Sequence, residues 1–125
     1  MTRPDATELL TTARCLLLEG LLPALPSELG YDARMIASAL AMAAREIELG
    51  PQAAELEEGA LARVLEPHGL AGLTREDARA LLSQFIREGV FDRPGPDRQR
   101  LLEALGAITR ARLRISNPKV LDHDR

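Results

Sequence analysis

The sequence contains no tryptophan and only three other aromatic residues, Tyr31, Phe85 and Phe91. Valine and threonine are also few, and no stretch alternates apolar and polar residues long enough to make a half-buried strand, so an extended sheet is excluded. Cysteine is nearly absent: Cys15 stands alone, which rules out an internal disulfide and removes the thiolate set of a structural zinc site. The two histidines, His68 and His123, stand at no ligand spacing from Cys15 or from each other, so no metal site is expected. Long apolar runs are missing too. The longest, Leu16 to Leu25, is broken by Glu19, Gly20 and Pro23 and falls well short of the roughly 20 residues that span a bilayer, so no membrane anchor is expected. There is no excess of positive charge. The net charge of −3 gives the whole molecule no field that would gather nucleic acid or anionic lipid. The start, Met1-Thr2-Arg3-Pro4-Asp5, lacks the basic region and apolar core of a signal peptide, and with the lone cysteine this leads us to expect a cytoplasmic protein.

What is present is leucine and alanine. The apolar fraction is 46%, supplied chiefly by Leu, Ala, Ile, Val and Met, in a chain of 125 residues, enough for one hydrophobic core. We expect an all-α single domain over residues 1–125, with a frayed tail from about Leu121 to Arg125.

Helix signals recur along the chain. Asp5 followed by Glu8 is a capping pattern, and Leu9, Leu10, Ala13, Leu16, Leu17 and Leu21 then fall at helical spacing, predicting a first helix from Ala6 to Leu22 that Pro23 and Pro26 end. Ile36, Leu40, Ala43 and Ile47 form the expected inward stripe of a second helix, Ala33 to Leu49. Gly50-Pro51 reads as its C-cap and as the start of a third helix, Gln52 to Leu65, with Ala53, Leu56, Ala60, Leu61 and Val64 inward. Pro67-His68-Gly69 closes that helix. Thr74 with Asp77 opens a fourth, with Ala78, Leu81, Leu82, Phe85 and Ile86 inward up to Gly89. Asp97 is the expected cap of a fifth, Arg98 to Ile115, which Asn117-Pro118 stops. Short connectors between five helices predict a compact up-and-down antiparallel bundle.

Two surfaces stand out from ordinary packing. On the second helix, the side opposite the apolar stripe carries Arg34, Ser38, Ala41 and Arg45, small residues between two arginines. It is either a face packed within the bundle and rimmed by solvated arginines, or a groove that another backbone can approach. The segment Arg98 to Lys119 holds six basic residues against Glu103, while residues 45–66 hold six acids against two basic residues, so charge is polarised along the chain. Cations at a helix C-terminus complement its dipole, which explains Arg110, Arg112 and Arg114 without a ligand; a patch facing phosphate or an acidic partner is the alternative. On the wheel, Arg112 lies among Leu101, Leu105, Ile108 and Ile115 and, if buried, needs a carboxylate, with Glu46 or another acid of the second helix as candidate.

No catalytic constellation assembles from the sequence. Cys15, near the apolar side of the first helix, reads as a buried inert thiol. His68 reads as structural, Asp122-His123-Asp124 as a solvated charge cluster, and Gly69, Gly72 and Gly89 match no phosphate-binding loop. No catalytic residue, metal or cofactor is assigned.

Arg34-Met35-Ile36-Ala37-Ser38-Ala39-Leu40-Ala41, then Ala44-Arg45-Glu46-Ile47-Glu48-Leu49-Gly50-Pro51, with the opening Arg3-Pro4-Asp5-Ala6-Thr7-Glu8-Leu9-Leu10, the Leu22-Pro23 break and the closing Leu113-Arg114-Ile115-Ser116-Asn117-Pro118-Lys119, resemble a bacterial family of small uncharacterised helical proteins. Members of that family accompany aminoglycoside-phosphotransferase-like kinases and acyl-CoA dehydrogenases. The resemblance implies a non-catalytic accessory subunit of a hydroxyacyl-CoA kinase in short-chain hydroxy acid catabolism, of the type acting on levulinate and 4-hydroxy acids. The expected partner-binding residues are Arg34, Ser38, Arg45, Arg112, Asn117 and Lys119. A self-associating structural protein is the second expectation, and a nucleic-acid module using the fifth helix a weaker third.

Overall fold

Asp5 opens the described part of the chain: its carboxylate accepts the Glu8 N–H at 2.9 Å and caps α1, Ala6–Cys15. The computed structural model describes residues 5–122, so His123 and Asp124 of the terminal acidic cluster, and Arg3 and Pro4 of the opening motif, lie outside the described residues. Every element among the described residues is helical. The fold is all-α.

Helix α1 does not run uniformly to Leu22 as the leucine spacing predicts. From Leu16 to Leu21 the turns widen to a π-helix, in which the Leu22 N–H donates to the Leu17 carbonyl, and a 3₁₀ turn at Leu22–Ala24 follows. Pro23, which has no N–H to donate, sits inside that turn, so the change of pitch absorbs what would have broken an α-helix. Leu25, extended at φ −81° and ψ 151°, ends the segment. A second 3₁₀ turn, Ser27–Leu29, leads into α2.

The largest departure is at Gly50-Pro51. The two helices expected on either side are one helix, α2, Gly30–Leu65, with Pro51 inside it. A glycine that ends a helix does so at positive φ; Gly69, Gly72, Gly89 and Gly95 have positive φ and Gly50 does not. Gly50 is therefore a helical residue, and no chain reversal occurs there. Pro51 removes one helical hydrogen bond, to the Ile47 carbonyl, but that turn is exposed and water can take the acceptor.

Helix α2 ends in a 3₁₀ turn, Glu66–His68, and a Schellman closure: Gly69 at φ 77° donates to Glu66, and Leu70 donates to Leu65. Helix α3, Arg75–Arg87, starts where expected, with Thr74 Oγ1 accepting the Asp77 N–H at 3.1 Å. It closes in the same way at Gly89, φ 82°, with Gly89 donating to Ile86 and Val90 to Phe85. Helix α4, Pro96–Ser116, begins earlier than expected. The Gln99 N–H bonds the Gly95 carbonyl, so Gly95 is the cap and Pro96 the first helical residue; Asp97 is not the cap and its carboxylate is used elsewhere. Asn117-Pro118 does stop α4, and a short α5, Pro118–Asp122, follows, so Leu121 and Asp122 are helical.

By density of internal contacts the chain divides into two units, one running through Pro51 and resuming at Arg114, the other Gln52–Leu113. The second unit holds a core in which Ala60, Leu61, Val64 and Leu65 of α2 meet Ala78 and Leu82 of α3, Phe91, and Leu101 and Ala104 of α4, with Leu70, Phe85 and Ile108 packed around them. Ala60, Leu61 and Val64 are among the positions the sequence spacing places inward; Leu65 joins them, while Ala53 and Leu56 are only partly buried. In the first unit, the buried apolar side chains among the described residues are Ala33, Ala37 and Ile115.

Candidate functional site

In the first unit, α2 reverses the expected orientation of its faces. Ile36, Ala43 and Ile47, three of the four residues of the predicted inward stripe, are exposed, and Ala33 and Ala37 are buried instead. At 100° per residue, Tyr31, Met35, Met42, Ala39, Ala43, Ile36 and Ile47 occupy one continuous outward arc. Tyr31 is 70% exposed, Met35 51% and Ile36 54%, which is unusual for large apolar side chains clustered on one helix face. Ala33 and Ala37 lie toward the protein, and the large side chains of Tyr31, Met35 and Ile36 lie toward solvent. Asp32 and Glu46 are the ionisable residues within the arc. Leu9, Leu16 and Leu21 of the first helical segment are exposed as well. Cys15 is exposed, not buried as its place on the wheel suggests.

The second unit contains an ion cluster that sequence reasoning missed. The Glu57 side chain, on α2, is only 6% exposed, and three guanidiniums converge on it. Arg75 Nε lies 3.5 Å from Oε1, Arg79 contacts the same oxygen, and Arg112 of α4 approaches Oε2 at 3.7 Å. Oε1 accepts no aligned hydrogen bond, so these are contacts between charges rather than a bidentate fork. The cluster ties α2, α3 and α4 together with one buried carboxylate. It also bears on the expectation for Arg112: its side chain is half exposed, and the Glu57 carboxylate is an acid that it approaches.

Elsewhere in this unit, His68 Nε2 lies 2.8 Å from Asp97 Oδ2, and its ring packs between Phe85 and Phe91 at centroid distances of 5.5 and 5.9 Å. Asp97 also meets Arg100 at 3.3 Å, which is the use of its carboxylate in place of capping. Arg98 donates to the Asp92 carbonyl. Three of the arginines that make α4 basic, Arg98, Arg100 and Arg112, are thus engaged within the fold.

Of the expected partner-binding residues, Arg34, Ser38 and Arg45 lie on one side of α2, and Arg45 reaches the end of α4, which Asn117 and Lys119 follow. Arg45 Nε donates to the Ile115 carbonyl at 2.7 Å, so Arg45 closes the end of α4. The Arg34 guanidinium lies over Gly30, one turn back, 3.2 Å from where a β-carbon there would stand. Ser38, Asn117 and Lys119 are exposed, and the Asn117 carbonyl accepts the Val120 N–H. Arg112 belongs to the second unit.

Among the described residues no group of three His, Cys, Asp or Glu is placed to hold a metal ion, and no helix is long and apolar enough to cross a membrane. Two features thus stand out among the described residues: an exposed apolar helix face in one unit and a cluster of arginines about one buried carboxylate in the other. The chain belongs to the family described as a domain of unknown function, DUF6285, whose model matches residues 23–120. No curated protein and no solved structure matches the chain.

Proposed function

We propose that this chain is a non-catalytic accessory subunit that docks onto a partner polypeptide through the outward arc of α2. The carrying observation is the exposure of Tyr31, Met35, Ile36, Met42 and Ile47 on one side of a single helix. Burying such side chains stabilises by about 1.5–3 kcal/mol each relative to leaving them in water, and an interface supplies that burial where the monomer does not. The resemblance described above supplies the class of partner: an aminoglycoside-phosphotransferase-like hydroxyacyl-CoA kinase of short-chain hydroxy acid catabolism, in a cytoplasmic setting, with an acyl-CoA dehydrogenase as a further associate. In this reading the helical bundle is a scaffold that presents α2. The docking surface runs from Tyr31, Met42 and Met35 toward Ile36 and Ile47, away from Arg45 at the arc's edge, which is already used at the end of α4.

Self-association through the same arc is the second reading, and the spacing of the arc favours considering it. Reversing α2 about Ala39 pairs Tyr31 with Ile47, Met35 with Ala43 and Ile36 with Met42, so an antiparallel two-fold contact would be apolar along its length. The same reversal sets Asp32 against Glu46, like charge on like, whereas a partner with basic residues beside its apolar ones would neutralise both. The heteromeric reading therefore ranks first. Nucleic-acid binding by α4 ranks last, since Arg98 and Arg100 have partners inside the fold and the net charge of the chain is −3.

Co-expression with a kinase of that class, purified through a tag on either chain, tests the proposal. The kinase should co-purify with the native chain and be lost with Met35→Lys/Ile36→Lys. Absence of co-purification with the native chain defeats the proposal, and a concentration-dependent dimer in light scattering without kinase capture transfers the arc to self-association.

A further inference from the structure

We propose that Arg75, Arg79 and Arg112 form a binding site for a phosphate-type oxyanion, a phosphomonoester or diphosphate group, with the buried Glu57 carboxylate as the residue that positions them. A helix-to-helix clamp needs one cation for one carboxylate. Here two guanidiniums of one helix share a single carboxylate, which the Arg112 guanidinium also approaches, so Arg75 and Arg79 together carry one positive charge more than Glu57 neutralises. Arg75 and Arg79 are one turn apart on α3, where like charges repel, and both contact the same oxygen of Glu57. The cluster is not sealed from solvent: the arginine side chains are between 36% and 51% exposed. An incoming anion can therefore reach them without the fold opening.

The donor inventory fits an oxyanion. A guanidinium carries five N–H donors in a planar fork, and Arg75 and Arg79 each meet Glu57 through one nitrogen. The remaining edges of these two arginines, with Arg112 as a third positive charge from another helix, surround a tetrahedral dianion better than a planar carboxylate, which two forks would saturate. Glu57 holds the arginine stems in place, so binding does not have to order three long side chains from free rotation. The small groove of about 130 Å³ beside Arg75, lined by Leu61, Leu65, Leu70 and Leu73, carries Glu58 and Glu66, so the anion belongs to the arginine cluster and not to that groove.

The test uses the full chain alone, with pyrophosphate as probe and sodium chloride at matched ionic strength as control, read by calorimetric titration and by the thermal midpoint. Inorganic phosphate and ADP as further arms separate a free phosphate from a nucleotide source. The expected result is saturable binding and a midpoint that rises with pyrophosphate beyond the chloride control. Arg79→Gln should weaken binding by about tenfold or more, and Glu57→Gln should strengthen it about tenfold while lowering the midpoint without ligand. Arg110→Gln, a cation outside the cluster, should bind like the native chain. Identical behaviour of the native chain in pyrophosphate and chloride overturns the proposal, as does binding that survives Arg79→Gln and is lost in Arg110→Gln. No partner protein is present in this experiment, so its outcome is independent of the docking reading.

Discussion

Arg45 reaches across 70 positions of the chain to donate from Nε to the carbonyl of Ile115 at 2.7 Å. The acceptor lies in the last turn of α4, where carbonyls have no N–H partner further along the helix, and Asn117-Pro118 prevents the helix from continuing to supply one. A cation there satisfies the acceptor and also offsets the negative end of the helix dipole. An arginine that the sequence offers as a partner contact is thereby part of the fold.

Arg45→Met, which keeps the aliphatic stem and removes the donor, should therefore destabilise the protein by about 1–2 kcal/mol. A urea unfolding curve would show a lower midpoint with unchanged slope. An unchanged midpoint would mean that water replaces the guanidinium at no cost.

The continuity of α2 makes opposite predictions from a helix boundary at the same place. If Gly50 is a helical residue, Gly50→Ala removes a backbone entropy penalty and should stabilise by about 0.5–1 kcal/mol. Its new β-carbon would stand 3.5 Å from the Glu46 carboxylate, an ordinary contact. Pro51→Ala restores the N–H facing Ile47 and should stabilise by a further 1–2 kcal/mol or so, the proline's smaller unfolded-state entropy offsetting part of the gain. Were Gly50 a left-handed cap instead, the alanine variant would lose stability. Denaturant midpoints of the two single variants decide between these outcomes.

Glycines at true helix ends should behave the other way. Gly89 closes α3 at φ 82°, and a β-carbon there would stand 2.9 Å from Asp92 Oδ2. Gly89→Ala should cost about 1–2 kcal/mol through strain and the displaced carboxylate. Gly59, inside α2 with nothing within 4 Å of its would-be β-carbon, should gain up to about 1 kcal/mol from the same change. Thermal midpoints moving in the same direction for the pair would contradict the geometry.

These contrasts mark what the sequence made legible. Asp5, Thr74, Gly69 and Gly89 were readable because capping and closure are decided within a few residues. Gly50-Pro51 carries the same letters as a helix end, but φ at Gly50 is set by the packing of the turns on either side, which local pattern does not contain. The stripe on α2 was inverted because both faces are apolar: Ile36 and Ile47 mark one and Ala33 and Ala37 the other, and periodicity finds faces without saying which is covered. The Glu57 cluster needs three helices to assemble. One sign of it was present, since Glu57 lies three, four and seven residues before Ala60, Leu61 and Val64 on the inward side of α2, and an acid on such a stripe requires cations from elsewhere.

The α2 arc supplies the prediction that most sharply separates folding from function. Met35 and Ile36 are more than half exposed, so Met35→Lys/Ile36→Lys should leave the isolated chain's unfolding midpoint nearly unchanged, within about 0.5 kcal/mol per site. A partner that buries both side chains loses apolar contact and must desolvate two ammonium groups, so affinity should fall by at least about a hundredfold. Two positive charges beside Asp32 and Glu46 also remove the local negative potential to which a basic-flanked partner would respond. Equal unfolding midpoints together with lost capture would assign the arc to recognition. A large drop in the midpoint would instead show that Met35 and Ile36 are covered within the monomer and would withdraw the arc as a docking surface.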